Sequence, residues 1–364
     1  MKPRAVELLT AGMALADGWT VVRRLAPQPG ATGANFSEGY LVEKFDDDSS
    51  GQSVRRRAGF LKALDFSRAF ELASGDDTIN MLQYYLAAFT HERAVLEHCG
   101  KNKLSNVVVA LAHGHVDIAG FSPSEGRVYY LIFERADGDV RVQMNTKTAQ
   151  GDLWCMMALR DITLAFNQIH RRLIAHQDGK PSNVLTYPGP SFKLADFGRS
   201  AQVGHPSPHD DMPVAGDPSY TPPEQRYGYT HPEFVARRIG CDLYMLGNLA
   251  SFLFSGINVT AGINARLDAQ HRFGRWTGSY EDVLPYVRNA FTALLVDLRA
   301  QLNPLVRDDV MELVTQLCEP DLRLRGHPRQ VGRYDQYSLE RYVSRLDLMV
   351  GRLGVRLRAE ARAA

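Results

Sequence analysis

The residues with the most evident chemical capacity form one short run, His176-Gln177-Asp178-Gly179-Lys180-Pro181-Ser182-Asn183, and Asp196-Phe197-Gly198 begins thirteen residues after Asn183. An ionised carboxylate orients a hydroxyl and accepts its proton, and an ammonium two residues further on offsets charge spreading over an anion. Carboxylate and amide oxygens are also the ligands that a hard divalent cation takes. No Ser/His/Asp signature, dinucleotide-binding fingerprint or zinc spacing offers a rival chemistry. His205, His209, Asp210 and Asp211 suggest a metal site only weakly, since they lie in a Pro-interrupted stretch without a second ligand cluster.

The run resembles the catalytic loop and DFG motif of the eukaryotic-type protein kinases. The resemblance implies that Asp178 orients and deprotonates the acceptor hydroxyl, and that Lys180 neutralises the transferring phosphoryl group. It further implies that Asn183 and Asp196 hold Mg²⁺ on the phosphates of ATP. A lysine at position 180 favours serine or threonine as acceptor. Phe60-Leu61-Lys62-Ala63 resembles the family's third-strand segment, so Lys62 would meet the α- and β-phosphates. Its partner should be an acid on the inward face of the following helix. At about 100° per residue, Glu92 falls on the stripe of Leu86, Phe89, Leu96 and Cys99, whereas Glu97 points away. Gly30 to Tyr40 approximates the phosphate-covering glycine loop, with Gly33 and Phe36 at its tip. Phe133 would guard the back of the adenine pocket, with Glu134 and Ala136 presenting backbone groups to the adenine edge.

Gly216-Asp217-Pro218-Ser219-Tyr220-Thr221-Pro222-Pro223-Glu224 resembles the end of the family's activation segment. Glu224 would then be buried and paired with an arginine, Arg325 first and Arg323 second. Asp242 matches the acid that holds the catalytic loop from below, and it would also suit a helix N-cap. Three departures stand out. Gln177 replaces an arginine that in many kinases receives an activation-loop phosphate, and an amide lacks that charge, so switching by loop phosphorylation is not expected. Asp217 stands where threonine is usual, either competing for Lys180 or simply forming an Asp-Pro turn. Gly179 replaces a larger residue and is expected to loosen the loop.

Elements must bring these groups together. Val21 to Leu25, Tyr40 to Lys44, Phe60 to Leu64, Val107 to Leu111 and Val128 to Phe133 predict five short strands, with one helix over Gln83 to Cys99. After Gly151 the spacing of Cys155, Leu159, Ile162, Phe166, Ile169 and Leu173 predicts a buried helix face, and Leu243, Leu246, Ala250 and Leu253 predict another. The expected fold is therefore α+β and, by resemblance, bilobal and protein-kinase-like: a small antiparallel sheet with one main helix, then a larger, mainly helical lobe, the nucleotide lying between them. The expected divisions are an N-terminal extension 1–20, an N-lobe 21–136, a C-lobe 137–328 and a C-terminal amphipathic tail 329–364. The long stretch between Lys62 and Glu92 has room for an extra helix. In the tail, Leu339, Tyr342, Val343, Leu346, Met349 and Leu353 predict a helix that packs in cis or binds a partner.

Composition bounds the rest. The chain has 364 residues, with 42 Lys and Arg against 41 Asp and Glu, a net charge of +1 that gives nucleic acid or anionic lipid no general attraction. Four widely spaced cysteines suit a reducing, cytoplasmic setting. No stretch reads as a membrane span. The expected function is transfer of the γ-phosphoryl group of ATP, with Mg²⁺, to a Ser or Thr hydroxyl of a protein substrate. The alternatives are a small-molecule kinase of the same fold and a pseudokinase acting as a binding module.

Overall fold

Side chains alternate along a strand, and that alternation organises the first third of the chain. The computed structural model describes residues 3–26, 37–47, 54–66, 76–146 and 151–363. Contacts divide it into two compact units, Met1–Lys103 with Val108–Ala136, and Leu104–Val107 with Asp137–Ala364.

The first unit contains β1 (Thr20–Arg24), β2 (Ser37–Asp47), β3 (Val54–Leu64), β4 (Ala110–Asp117) and β5 (Arg127–Glu134). They form one antiparallel sheet in the order β1-β2-β3-β5-β4. On β3, Leu61 and Ala63 enter an apolar cluster with Tyr40, Val42, Tyr130 and Ile132, which leaves Lys62 for the opposite face. The first twenty residues join this cluster through Ala5, Val6, Leu9 and Trp19. Gly59 makes room for the indole, since a Cβ there would lie 2.9 Å from the Trp19 ring.

The helix α1 (Asp76–Lys101) buries Phe89, Glu92, Val95, Leu96 and Cys99 at helical spacing. Leu86, expected on that stripe, is exposed, because α1 buries none of its described side chains before Phe89. Residues 76–101 are a single uninterrupted helix, and 67–75 lie outside the described residues. Strand β4 begins later than its apolar run suggests. Val107 is drawn into a bridge with Leu194, and the strand proper alternates Ala112, Gly114 and Val116 with the outward His113 and His115.

The second unit is mainly helical: α2 (Asp152–His170), α3 (Gly240–Ser255), α4 (Val259–Arg266), α5 (Tyr280–Gln301), α6 (Arg307–Leu317) and α7 (Glu340–Ala363). The α2 stripe is buried from Cys155 to Ile169. Leu173 is exposed instead, because α2 ends at His170 and Leu173 adopts a φ of 53° that carries it off the helix face. Two small sheets hold the intervening loops. Gly138–Asp139, Val184–Tyr187 and Ser191–Leu194 form one, and Ile174–Ala175 pairs with Ala201–Gln202 in the other.

The tail helix α7 packs against α2 through the buried Tyr342, Leu346, Met349 and Leu353. Burial of each such side chain contributes about 1.5–3 kcal/mol. The Tyr342 hydroxyl donates to Gln316 Oε1 at 2.9 Å, and Arg345 reaches Asp309 at 2.9 Å, so the amphipathic face is used within its own unit. No single helix among the described residues is long and apolar enough to cross a membrane, and the apolar run from Leu243 lies in α3, which is almost wholly buried.

Candidate active site

In the first unit, the β3 alternation that sends Leu61 and Ala63 inward presents Lys62 to α1. Its Nζ lies 3.1 and 3.2 Å from the two carboxylate oxygens of Glu92. Glu92 is only 3 % exposed, and an acid so placed needs a cation to offset its lost hydration. Glu97 takes other partners, Arg93 at 3.6 Å and His113 at 3.3 Å. At the end of β5, Phe133 is buried, and Glu134 is tied to the chain opposite, its carboxylate accepting from the Val109 N–H at 3.1 Å. Ala136 is half-buried at the end of this unit. Gly33 and Phe36 lie outside the described residues.

In the second unit, one buried carboxylate fixes the start of the run 176–183. Asp242, in the first turn of α3, accepts from the N–H of His176 and from the N–H of Gln177, each at 2.7 Å, and meets His170 Nε2 at 2.9 Å. It caps nothing, because a π-helical turn, Val235–Ile239, runs directly into α3 and both oxygens are committed to the loop. The His176 ring bridges the two motifs. Its Nδ1 accepts from the Asp178 N–H at 3.2 Å, so Nε2 carries the proton and donates to the Ala195 carbonyl at 2.9 Å. The Phe197 ring meets the imidazole edge-on at 4.8 Å.

Both side-chain oxygens of Asp178 are engaged. Its Oδ1 accepts from the Asp217 N–H at 2.8 Å. Its Oδ2 accepts from Asn183 Nδ2 at 2.9 Å and lies 3.0 Å from Lys180 Nζ. The Asn183 amide nitrogen is engaged with Asp178, so its Oδ1 is the atom suited to a cation. The Asn183 carbonyl accepts from the Ala195 N–H at 2.9 Å, which sets Asp196 one residue beyond that bond. Asp196 itself has a φ of 63°, the left-handed region that side chains enter only when the surrounding structure demands it. No group of three or more His, Cys, Asp or Glu among the described residues is arranged to hold a metal. Mg²⁺ needs no such cage, since it usually takes one or two protein oxygens together with phosphates and water, and Asn183 with Asp196 fits that donor set.

Further along, Arg325 and Glu224 form a fully buried two-pronged pair at 2.7 and 2.8 Å, and Arg325 also donates to the carbonyls of Gly240, Glu319 and Pro320. Burial alone would lower the Arg325 pKa, but Glu224, with Tyr280 and Tyr337, holds it above its ordinary value. Arg323 goes to Asp321 instead.

The sequence family described as "Protein kinase domain" matches residues 70–334, well over half of the chain. The chain belongs to the protein kinase family. It is similar to Aurora kinase A-A of Xenopus laevis, 27 % identical over 159 residues that cover 43 % of this chain and 37 % of that one. It is also similar to Aurora/IPL1-related protein kinase 2 of Caenorhabditis briggsae, 29 % identical over 34 % of this chain and 39 % of the relative. To human serine/threonine-protein kinase ULK3 it is 30 % identical over 122 residues, 32 % of this chain and 25 % of that protein. The chain thus spans less than two-fifths of the length of each of these relatives. The family match includes Glu92 and the whole second-unit site but begins after Lys62.

At Gln177, Asp217 and Gly179 the structure adds physical detail that sequence alone did not carry. Gln177, at φ 63°, donates through Nε2 to the Arg199 carbonyl at 3.0 Å and accepts from Arg238 Nη1 at 2.5 Å. Arg238 is buried, which lowers its pKa, and its other nitrogen donates to the Asp210 carbonyl at 2.8 Å. Arg238 was not singled out in the sequence. The available signal was its place four residues before Asp242, the spacing that puts two side chains on one helix face.

His209 and Asp210 belong to this same network rather than to a metal cluster. His209 Nδ1 lies 3.1 Å from Arg199 Nη1, and Asp210 Oδ2 accepts from the Ser207 N–H at 2.8 Å. Asp217 both forms the expected turn, accepting from the Ser219 N–H at 2.9 Å, and brings a second carboxylate 3.7 Å from Lys180. Gly179 does not leave a gap. Its N–H points at Met245 Sδ at 3.2 Å, and a Cβ would lie 2.9 Å from the Phe166 ring, so neighbouring side chains already fill the space.

Proposed function

We propose that this chain is an ATP- and Mg²⁺-dependent protein kinase that transfers the γ-phosphoryl group to a serine or threonine hydroxyl of a protein substrate. The observation that carries this reading is the Asp178 carboxylate, fixed by Asn183 and the Asp217 N–H with Lys180 3.0 Å away. A carboxylate held in this way orients the attacking hydroxyl and accepts its proton, and the Lys180 ammonium offsets charge on the moving phosphoryl oxygens. Lys62, paired with Glu92, anchors the α- and β-phosphates. Asn183 and Asp196 hold Mg²⁺, which when bound neutralises phosphate charge.

The Glu224–Arg325 pair supports a protein acceptor over a small metabolite, because it belongs to the Pro-Pro-Glu segment that small-molecule kinases of similar fold usually lack. Low net charge and four buried, widely spaced cysteines suit a soluble protein partner in a reducing, cytoplasmic setting.

Two readouts test this. Thermal denaturation with ATP should show stabilisation that depends on Mg²⁺, about 2.7 kcal/mol at a ligand concentration one hundred times Kd, and Asp196→Asn should remove the Mg²⁺ dependence. Labelled ATP incubated with pooled Ser/Thr peptides and pooled hydroxyl metabolites should label the peptides. An absence of any Mg·ATP stabilisation, or label in metabolites alone, would reject the proposal.

A further inference from the structure

Chemistry at Asp178 leaves the first nineteen residues without a role, yet Arg4 and Glu7 among them join a network of five charged side chains with Arg24, Glu38 and Asp65. The Arg4 guanidinium lies 2.9 Å from Glu7 and 2.7 Å from Glu38, and it pairs with Asp65 through its other nitrogen. Arg24 joins from β1, 3.1 Å from Glu7 and 2.9 Å from Glu38. Asp65 and Glu38 are only 3 % and 8 % exposed, so both rely on arginine to offset lost hydration.

The position of this network matters more than its size. Glu38 sits on β2 opposite Ala63 of β3, and the adjacent rung of the ladder is Gly39 opposite Lys62. Asp65 follows the last residue of β3, three positions beyond Lys62. Arg4 therefore grips both strands beside the rung that carries the lysine. A second stitch lies close by, where the Tyr40 hydroxyl donates to the Val6 carbonyl at 2.6 Å. Ala5, Val6 and Trp19 share one apolar cluster with Leu61 and Ala63, on the face that Lys62 does not use.

We propose that the N-terminal segment is an intramolecular strut and that Arg4 is a positioning residue, setting the ends of β2 and β3 so that Lys62 is held ready for the nucleotide phosphates. This rests on the function proposed above. Arg4 touches no reacting group, and its effect passes through the two strands. A forked guanidinium suits the task because it meets two carboxylates at once, which an ammonium does less well.

The test uses the full chain with Arg4→Met, Arg4→Lys and the double variant Arg4→Met/Asp65→Asn. Without nucleotide, Arg4→Met should exchange the amide hydrogens of residues 37–40 and 60–64 about tenfold faster while α2 is unchanged, as expected when local opening becomes easier. With ATP, its KM should rise about fivefold and kcat should change less than about twofold, and Arg4→Lys should recover part of the difference. The double variant leaves Asp65 uncharged, so its melting temperature should return towards wild type while KM stays high. If KM returns together with the melting temperature, the role is structural only and the proposal falls. Unchanged exchange in β2 and β3 also overturns the strut, whether or not the chain turns over ATP. Failure of the wild-type chain to turn over ATP would instead reject the kinase function.

Discussion

Glu224 and Arg325 show how a single buried pair joins distant sequence. Each of the two has lost its water, and the bidentate geometry with three further carbonyl acceptors repays that loss. Arg325→Met should cost about 3–5 kcal/mol in urea unfolding, because Glu224 would remain buried and unpaired. A loss below about 1 kcal/mol would mean that water or another cation reaches the carboxylate. Much at this level was readable beforehand. Glu92 and the Glu224–Arg325 pair are legible because a buried acid requires a cation, and Asp242 because it resembles the family acid beneath the catalytic loop; each has its partner. Arg238 escaped notice because its shortest bonds go to an amide oxygen and a backbone carbonyl, while the one carboxylate near it, Asp210, lies 3.6 Å away and 28 residues back in the chain.

Strands, helices and loops were readable where burial is one-sided and periodic. The α2 stripe and the order of inward residues on β3 follow from repeats of about 3.6 and 2. The misplaced limits, Leu86, Leu173 and the start of β4, fall where tertiary partners rather than periodicity decide.

The same distinction applies to the segment between Gly198 and Glu224. Gly216 approaches the catalytic loop so closely that a Cβ would lie 2.1 Å from the Gln177 carbonyl and 2.8 Å from Asp178 Oδ1. Gly216→Ala should therefore displace the Asp217 N–H from Asp178 and lower phosphate transfer about 10- to 100-fold, at a cost of about 1–3 kcal/mol in stability. Retention of the wild-type rate would show that this contact is dispensable.

Within residues 200–216 the only hydroxyls belong to Ser200 and Ser207, both buried and donating to backbone carbonyls. The Arg238 bridge ties this stretch to Gln177 through the Asp210 carbonyl. Phosphatase treatment should leave the transfer rate unchanged, and Arg238→Met should reduce it about tenfold or more. A rate lost on phosphatase treatment would contradict this.

Across the full length of the chain, the family match over residues 70–334 covers the catalytic run, the activation-segment end and Glu92, while the strands that carry Lys62 lie outside it. Those strands are also the part of the chain that the N-terminal segment braces, so a reading confined to motifs overlooks Arg4, which has no motif. The tail helix was identifiable by its apolar stripe, but its partner was settled only by packing on α2. The account as a whole turns on Asp178. The most direct measurement compares wild type with Asp178→Asn in the transfer of labelled phosphate from saturating Mg·ATP to Ser/Thr peptides, with the melting temperature of each protein recorded. A fall of about 10²- to 10⁴-fold at unchanged melting temperature is the expected result, whereas equal rates would contradict the assignment.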